Sequence, residues 1–194
     1  QVRIACRYCS LVLLKGQGLV NAYGGNRASV KNLLDSAHSK NHIIPTGELT
    51  QKLSRLMDKR RPLCLVYFGR LTAYKGVDRC VMIMHALEKL SPGRFKLRII
   101  GTGEEWDELN KVVEQLRLSG SIEFTGPRPY GPDLFSELRT CDIAMATPLA
   151  PDAPRSALDA MCSGLPLLAF DTEYYRSLKD ISEAVLTTPW DKVS

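Results

Sequence analysis

The sequence predicts an α/β fold in which a doubly wound, Rossmann-like parallel sheet is flanked by helices. Three observations carry that expectation. Short apolar runs of strand length recur from Leu63 onward. Between them, apolar residues fall at helical spacing. Glycine, proline and basic residues cluster where a run passes into the next helical segment, as they do where parallel strands feed crossover helices.

In chain order, Leu11–Leu14 reads as one buried strand and Gly16–Tyr23 as a short helix. Gly24-Gly25-Asn26 is a breaker, followed by a helix near Val30–Ala37 and the extended Ile43-Ile44-Pro45. These elements are too few for a core of their own. Residues 1–50 are therefore expected to be the tail of an N-terminal α/β domain and its crossover. Residues 51–61 form a linker, and residues 62–194 form the main domain. With Gln1 first, the chain is expected to be processed or an excised piece.

In the main domain, strands are predicted at Leu63–Phe68, Phe95–Ile100, Ser121–Thr125, Asp142–Ala146, Pro166–Phe170 and Ala184–Thr187. Val77, Cys80, Val81, Met84, Leu87 and Leu90 lie on one face of a helix over Gly76–Leu90. Leu109, Val112, Val113 and Leu116 do the same in the next. A later helix begins near Pro154-Arg155: Asp152 suits its cap, Pro154 its first turn and Gly164 its end, and Pro166 forbids continuation.

Composition narrows the function. The 194 residues carry 26 Lys+Arg against 21 Asp+Glu, a net charge of +5, and part of the excess lies in Lys52–Arg61. With 7% aromatic residues and no nucleic-acid-binding signature, a small anionic ligand explains the charge better than nucleic acid. No apolar run approaches the ~20 residues of a membrane span. Four of the six cysteines (Cys64, Cys80, Cys141 and Cys162) lie in or beside apolar stretches, which fits reduced thiols in a cytoplasmic protein. Cys6 and Cys9 with His38 and His42 could supply four zinc ligands, but the gap between the pairs is long for a finger, and ordinary packing is the preferred reading. There is no D-x-D, Walker A loop, GxSxG or HExxH, and His85 reads as a packed helix residue.

Four loops collect groups suited to a polyphosphate. In VYFGRLTAYKG a strand ends at Gly69-Arg70, and Lys75-Gly76 opens a helix, so two cations flank a helix N-terminus. Gly101-Thr102-Gly103 follows the second strand. Trp106 stands where a dinucleotide fingerprint needs its third glycine, which weakens an NAD reading. Gly126-Pro127-Arg128-Pro129 is a stiff loop suited to a pocket rim. The fourth loop, from Thr147, leads into Arg155, Ser156, Ala157, Leu158 and Asp159, whose first N–H groups face the sheet's carboxyl edge; an Arg155–Asp159 pair within the helix is the plainer alternative there.

Together these segments resemble the C-terminal, donor-binding domain of GT-B glycosyltransferases of the large retaining family 4. LVYFGRLTAYKGVDRCVMIMHAL resembles that family's "GRL…KG" segment, LRIIGTGEEWDEL its "GxG" segment, and IEFTGPRP its "F-x-G" segment. SALDAMCSGLPLLAFD resembles its "LEAMAxGxPVVA" signature, and AVLTTPWD its closing strand.

The resemblance implies transfer of a sugar, with retention, from a nucleotide-diphosphate sugar to an acceptor. By it, Gly69, Arg70 and Lys75 hold the diphosphate, with Gly101 and Gly103 beside them. Backbone at Gly126, Pro127 and Arg128 meets the base, and N–H groups of Arg155, Ser156, Ala157 and Leu158 meet the phosphates. Asp159 takes the place of the glutamate on the ribose. The other glutamate of the family's E-x7-E pair falls on Pro151, with Asp152 the adjacent carboxylate. Arg70, Lys75, Asp152 and Asp159 are the residues implied to act on the donor. No cofactor and no metal are expected, because fixed cations and helix N–H groups stabilise the leaving group. The acceptor is a glycan, a lipid-linked or a small molecule bound mainly by the N-terminal domain, and peripheral membrane association belongs to the full-length protein. This chain alone is expected to be inactive. A non-catalytic nucleotide-sugar-binding module and a GT-B-shaped epimerase are the alternatives.

Overall fold

The computed structural model describes residues 1–33, 37–150, 152 and 155–189. Helix α1 (Val2–Tyr8) leads into β1 (Val12–Lys15), the short helix α2 (Gln17–Leu19) and a wider helical turn over Val20–Gly24. Strand β2 (Val30–Leu33) then pairs with β1 in parallel.

That strand corrects the helix expected over Val30–Ala37, of which residues 34–36 lie outside the described residues. Pairing with β1 decides it. The Val12 N–H donates to the Ser29 carbonyl at 2.8 Å, and the Asn32 side chain accepts from the Gly16 N–H at 3.0 Å. Val30 also brings a β-branched side chain into a buried position.

Helix α3 (Thr46–Leu56) begins before residue 50 and occupies residues 51–56 of the stretch expected to be a linker. The main sheet follows with β3 (Leu63–Phe68), α4 (Val77–Leu90), β4 (Phe95–Ile100), α5 (Trp106–Gln115), β5 (Ile122–Gly126), α6 (Pro132–Thr140), β6 (Ile143–Ala146), α7 (Arg155–Cys162), β7 (Leu167–Phe170), α8 (Glu173–Lys179) and β8 (Val185–Thr188). The six strands lie in the order β5-β4-β3-β6-β7-β8, and every neighbouring pair is parallel. From β3 the chain winds outward to β4 and β5, then crosses back to β6 and winds the other way. The doubly wound fold is as the sequence predicts, and its switch point falls between β3 and β6.

Alternation along β3 builds two cores. Leu65 and Tyr67 face α4 and α5, with Val81, Met84, Ile99 and Leu109. Val66 faces the opposite layer, with Leu138, Ala157, Ala160 and Leu178. A parallel strand buried on both faces reads as a continuous apolar run, which is why this one is visible in the sequence. Among the described residues no helix is long and apolar enough to cross a membrane.

Candidate functional site

The loop after β3 is fastened before any ligand is considered. The Tyr67 hydroxyl donates to the Arg70 carbonyl at 2.9 Å, and the Gly69 and Leu71 N–H groups donate to the Ile100 and Thr102 carbonyls at 2.9 and 3.0 Å. The loop after β4 lies against it so closely that a Cβ on Gly101 would stand 1.9 Å from the Gly69 carbonyl oxygen. One on Gly103 would stand 2.2 Å from that of Leu71. The space these two glycines leave is therefore filled by the neighbouring loop, which supports the β3 loop from beneath.

Beyond a single turn at Ala73–Lys75, Gly76 takes a left-handed conformation (φ 63°) and enters α4. A Cβ there would meet the Thr147 carbonyl oxygen at 2.1 Å. The Thr147 hydroxyl donates to the Gly76 carbonyl at 2.7 Å. The loops after β3 and β6 thus touch across the switch point, and only glycine permits that approach.

A crevice opens there, lined by Gly69, Lys75, Thr147, Pro148, Asp152, Ser156 and Ala157, with Tyr67 and Tyr175 among its walls. Burial pushes both tyrosine hydroxyls well above their ordinary pKa, so they remain neutral donors. The Lys75 ammonium pairs with the Asp152 carboxylate, their side chains only 17% and 19% exposed. Arg70 is exposed in the same loop and has no ion pair among the described residues.

Helix α7 brings Ser156 and Ala157 to the crevice and carries the half-buried Leu158 and buried Asp159 one turn further; Arg155, at its start, is exposed. Asp159 is 3% exposed and bonds to Tyr130, whose hydroxyl donates to Oδ1 at 3.0 Å. His38 Nδ1 lies 3.5 Å from the same oxygen. Burial pushes the Asp159 carboxyl up in pKa, and the Tyr130 and His38 contacts offset only part of that rise. Tyr130 itself is pushed up to about 12, by burial and by its bond to Asp159.

The remaining expected residues are placed otherwise. Gly126 ends β5, its carbonyl accepting the Gly101 N–H at 3.0 Å, and Pro127 is exposed beyond it. Arg128 is turned to the outer edge of the sheet, where it bonds Glu137 at 2.6 Å and the Thr125 carbonyl at 2.8 Å. It lines a separate groove with Arg98 and Glu123. Pro151 lies outside the described residues, as do Pro154, Trp190 and Asp191. The cysteine and histidine pairs do not form a metal cage: among the described residues no three His, Cys, Asp or Glu side chains are grouped to hold an ion. His42 instead stacks on Phe135 at 4.3 Å.

Sequence reading missed Tyr130, His38, Tyr67 and Thr147. Tyr130 stands beside the prolines of the third loop, so an aromatic on a stiff rim was the available signal; His38 was visible only as half of a pair with His42, which pointed to zinc and not to Asp159.

Six parallel strands in this order, with a cation and a helix start at their switch point, define a doubly wound α/β domain of the kind that takes ligands at its carboxyl edge. Comparison with known proteins narrows the class. The profile of the glycosyl transferases group 1 family matches residues 54–180, and the chain belongs to that family. An uncharacterised glycosyltransferase of Haemophilus influenzae is 28% identical over 140 residues, covering 72% of this chain and 36% of that protein. The amylovoran biosynthesis glycosyltransferase AmsD of Erwinia amylovora is 28% identical over 148 residues, 73% and 40% of the two chains. Among solved structures, Anabaena HepE in complex with UDP and glucose superposes with a TM-score of 0.68 at 23% identity, over 91% of this chain and 48% of that one. The chain spans less than half the length of these three relatives.

Proposed function

We propose that this chain is the donor-binding half of a retaining glycosyltransferase that moves a sugar from a nucleotide-diphosphate sugar to an acceptor. The observation that carries this reading is the Lys75 ammonium at the switch-point crevice, opposite Ser156 and Ala157 in the first turn of α7. A diphosphate leaving group gains negative charge as the glycosidic bond breaks. Lys75, the exposed Arg70 and the α7 N–H groups would stabilise that charge without a metal. Asp159 would meet the ribose hydroxyls, backbone around Gly126–Arg128 the base, and Asp152 the transferred sugar. With phosphates held by the protein, front-face attack needs no protein nucleophile, which accords with retention. HepE was solved with UDP, so UDP is the first nucleotide to test and GDP and ADP are its comparators.

The acceptor would be bound by the rest of a longer, cytoplasmic protein, and this half alone would bind donor without turning it over. Calorimetry and thermal shift with UDP, GDP, ADP and their sugars test the reading, with binding of at least one expected. No response to any of them at millimolar concentration overturns it. A non-catalytic binding module is the second reading, favoured by the buried Asp159, a short acid already bonded to Tyr130. Tight donor binding by the full-length protein with neither hydrolysis nor transfer would select it.

A further inference from the structure

Two groups that would grip a nucleoside diphosphate are already gripped by the protein. Lys75, the cation of the crevice, is neutralised by Asp152, a carboxylate on the loop that leads into α7. Both side chains line the crevice with Ser156 and Ala157, at the start of a helix whose positive end favours an anion. Asp159, one turn along, accepts a hydroxyl from Tyr130 at 3.0 Å.

The two contacts come from different loops and supply different chemistries. One is an anionic oxygen on an ammonium, and the other is an alcohol on a carboxylate. Phosphate and ribose would bring those same two chemistries, to the same two residues.

The Tyr130 loop is built to let go. Its ends, Gly126 (φ 73°) and Gly131 (φ 142°), both take conformations favourable to glycine, and at neither would a Cβ meet any atom within 4 Å. Tyr130 is 45% exposed and touches Phe135 and His42 only edge-on, at 5.7 and 5.9 Å between ring centroids. Rotation about the two glycines would withdraw the hydroxyl without disturbing a packed core, at the expense of the exposed Arg128 contacts with Glu137 and the Thr125 carbonyl.

We infer that Asp152 and Tyr130 are internal surrogates for the phosphate and ribose of the ligand, so that a nucleoside diphosphate enters by exchange with them. This rests on the donor-site reading and adds a selectivity to it. A ligand bringing only ribose displaces only Tyr130, one bringing only phosphate displaces only Asp152, and the nucleoside diphosphate displaces both. In the free chain the surrogates leave a mostly buried cation paired and give a buried acid a second contact beside His38.

The test crosses two substitutions with three probes, uridine, pyrophosphate and UDP, measured by calorimetry or, for weak ligands, by ligand-observed NMR. Tyr130→Phe removes the competing hydroxyl, and should tighten uridine and UDP by a common factor of about five while leaving pyrophosphate unchanged. Asp152→Asn should tighten pyrophosphate and UDP about tenfold at low salt, less at high salt, and leave uridine unchanged. Each variant should melt lower than the wild type when free and level with it when saturated with UDP, because the lost contact exists only in the free state. The inference is overturned if either substitution weakens UDP, if the probes respond alike, or if the melting deficit persists at saturation. Wild-type chain that binds none of the three probes overturns the donor-site reading itself. The two arms are separate variants, so loss of folding in one leaves the other decisive.

Discussion

The two ends of strand β6 each carry an aspartate paired with a cation, and they are built for opposite purposes. At the start, Asp142 is 2% exposed; its carboxylate takes both arms of the Arg61 guanidinium, at 2.8 and 2.7 Å, and the Cys64 N–H at 2.7 Å. Beyond the other end, Asp152 has one ion pair among the described residues, with a flexible ammonium at the mouth of a crevice. Three donors in a fixed fork make a permanent fastening. A single point charge on a four-carbon stem makes one that a better anion can take over. The difference is in the number and stiffness of the donors, since the formal charges are the same. It matches the general division of parallel sheets, which keep structure at the amino ends of their strands and chemistry at the carboxyl ends.

The largest effect should come from breaking the fastening. Asp142→Ala strands Arg61 and the Cys64 N–H, and is expected to cost about 3–5 kcal/mol in urea unfolding. Asp152→Ala should cost about 1 kcal/mol, the scale of one lost hydrogen-bonded contact. Equal losses would abolish the distinction between the two ends.

Next come the cations of the crevice. Lys75→Ala and Arg70→Ala should each weaken UDP binding by about 1.5–3 kcal/mol and leave uridine unaffected, as calorimetry would read. A parallel loss of uridine would move the phosphate site elsewhere.

Acid titration sharpens the contrast, because two buried acids carry opposite signs. Burial alone would raise Asp142, but Arg61 and the Cys64 N–H outweigh it and hold the carboxyl below its ordinary range. Its stabilisation is present above the unfolded pKa, near 3.9, and is lost as pH falls from there through the lower folded value. Asp159 is raised by burial. It costs stability near neutrality, and that cost is relieved as pH falls through the raised folded value towards the unfolded one. Chemical unfolding across pH 3–6 should show Asp142→Asn flattening the acid loss and Asp159→Asn steepening it.

The smallest effect concerns Lys52, 1% exposed, whose pKa burial lowers to about 8. The unfolded chain binds the extra proton between about pH 8 and 10.5, so this lysine makes stability rise with pH there. Cys80, pushed up to about 12 by burial, opposes it above the ordinary thiol value of 9. Between pH 8 and 9 the wild type should gain up to about 1 kcal/mol relative to Lys52→Met.

How much of this was legible follows from how local each cause is. Strands Leu63–Phe68 and Phe95–Ile100 appear in the sequence to the residue: the first is an unbroken apolar run, and in the second Phe95, Leu97, Ile99 and Ile100 keep the apolar pattern around Lys96 and Arg98. Helix α7 was legible from its breakers, Gly164 and Pro166. The strand at Val30–Leu33 was not, since it pairs with a strand eighteen residues earlier. Lys75 could be assigned to the crevice because strand, turn and helix are contiguous around it. Arg128 could not be excluded from the site, because the Glu137 that holds it lies two turns along a later helix. The Tyr130–Asp159 bond joins a loop to helix α7 at the sheet edge, and no periodicity encodes such a meeting.

Helix α7 also ends in a hold. The buried Lys52 ammonium donates to the Ser163 carbonyl at 3.3 Å, and the Ile44 N–H to the Cys162 carbonyl at 2.7 Å. Eight residues of helix make a rod about 12 Å long. One tip of that rod faces the crevice, and the other is pinned to the crossover segment. A displacement of residues 44–52 would therefore reach the crevice as a tilt of one short rod.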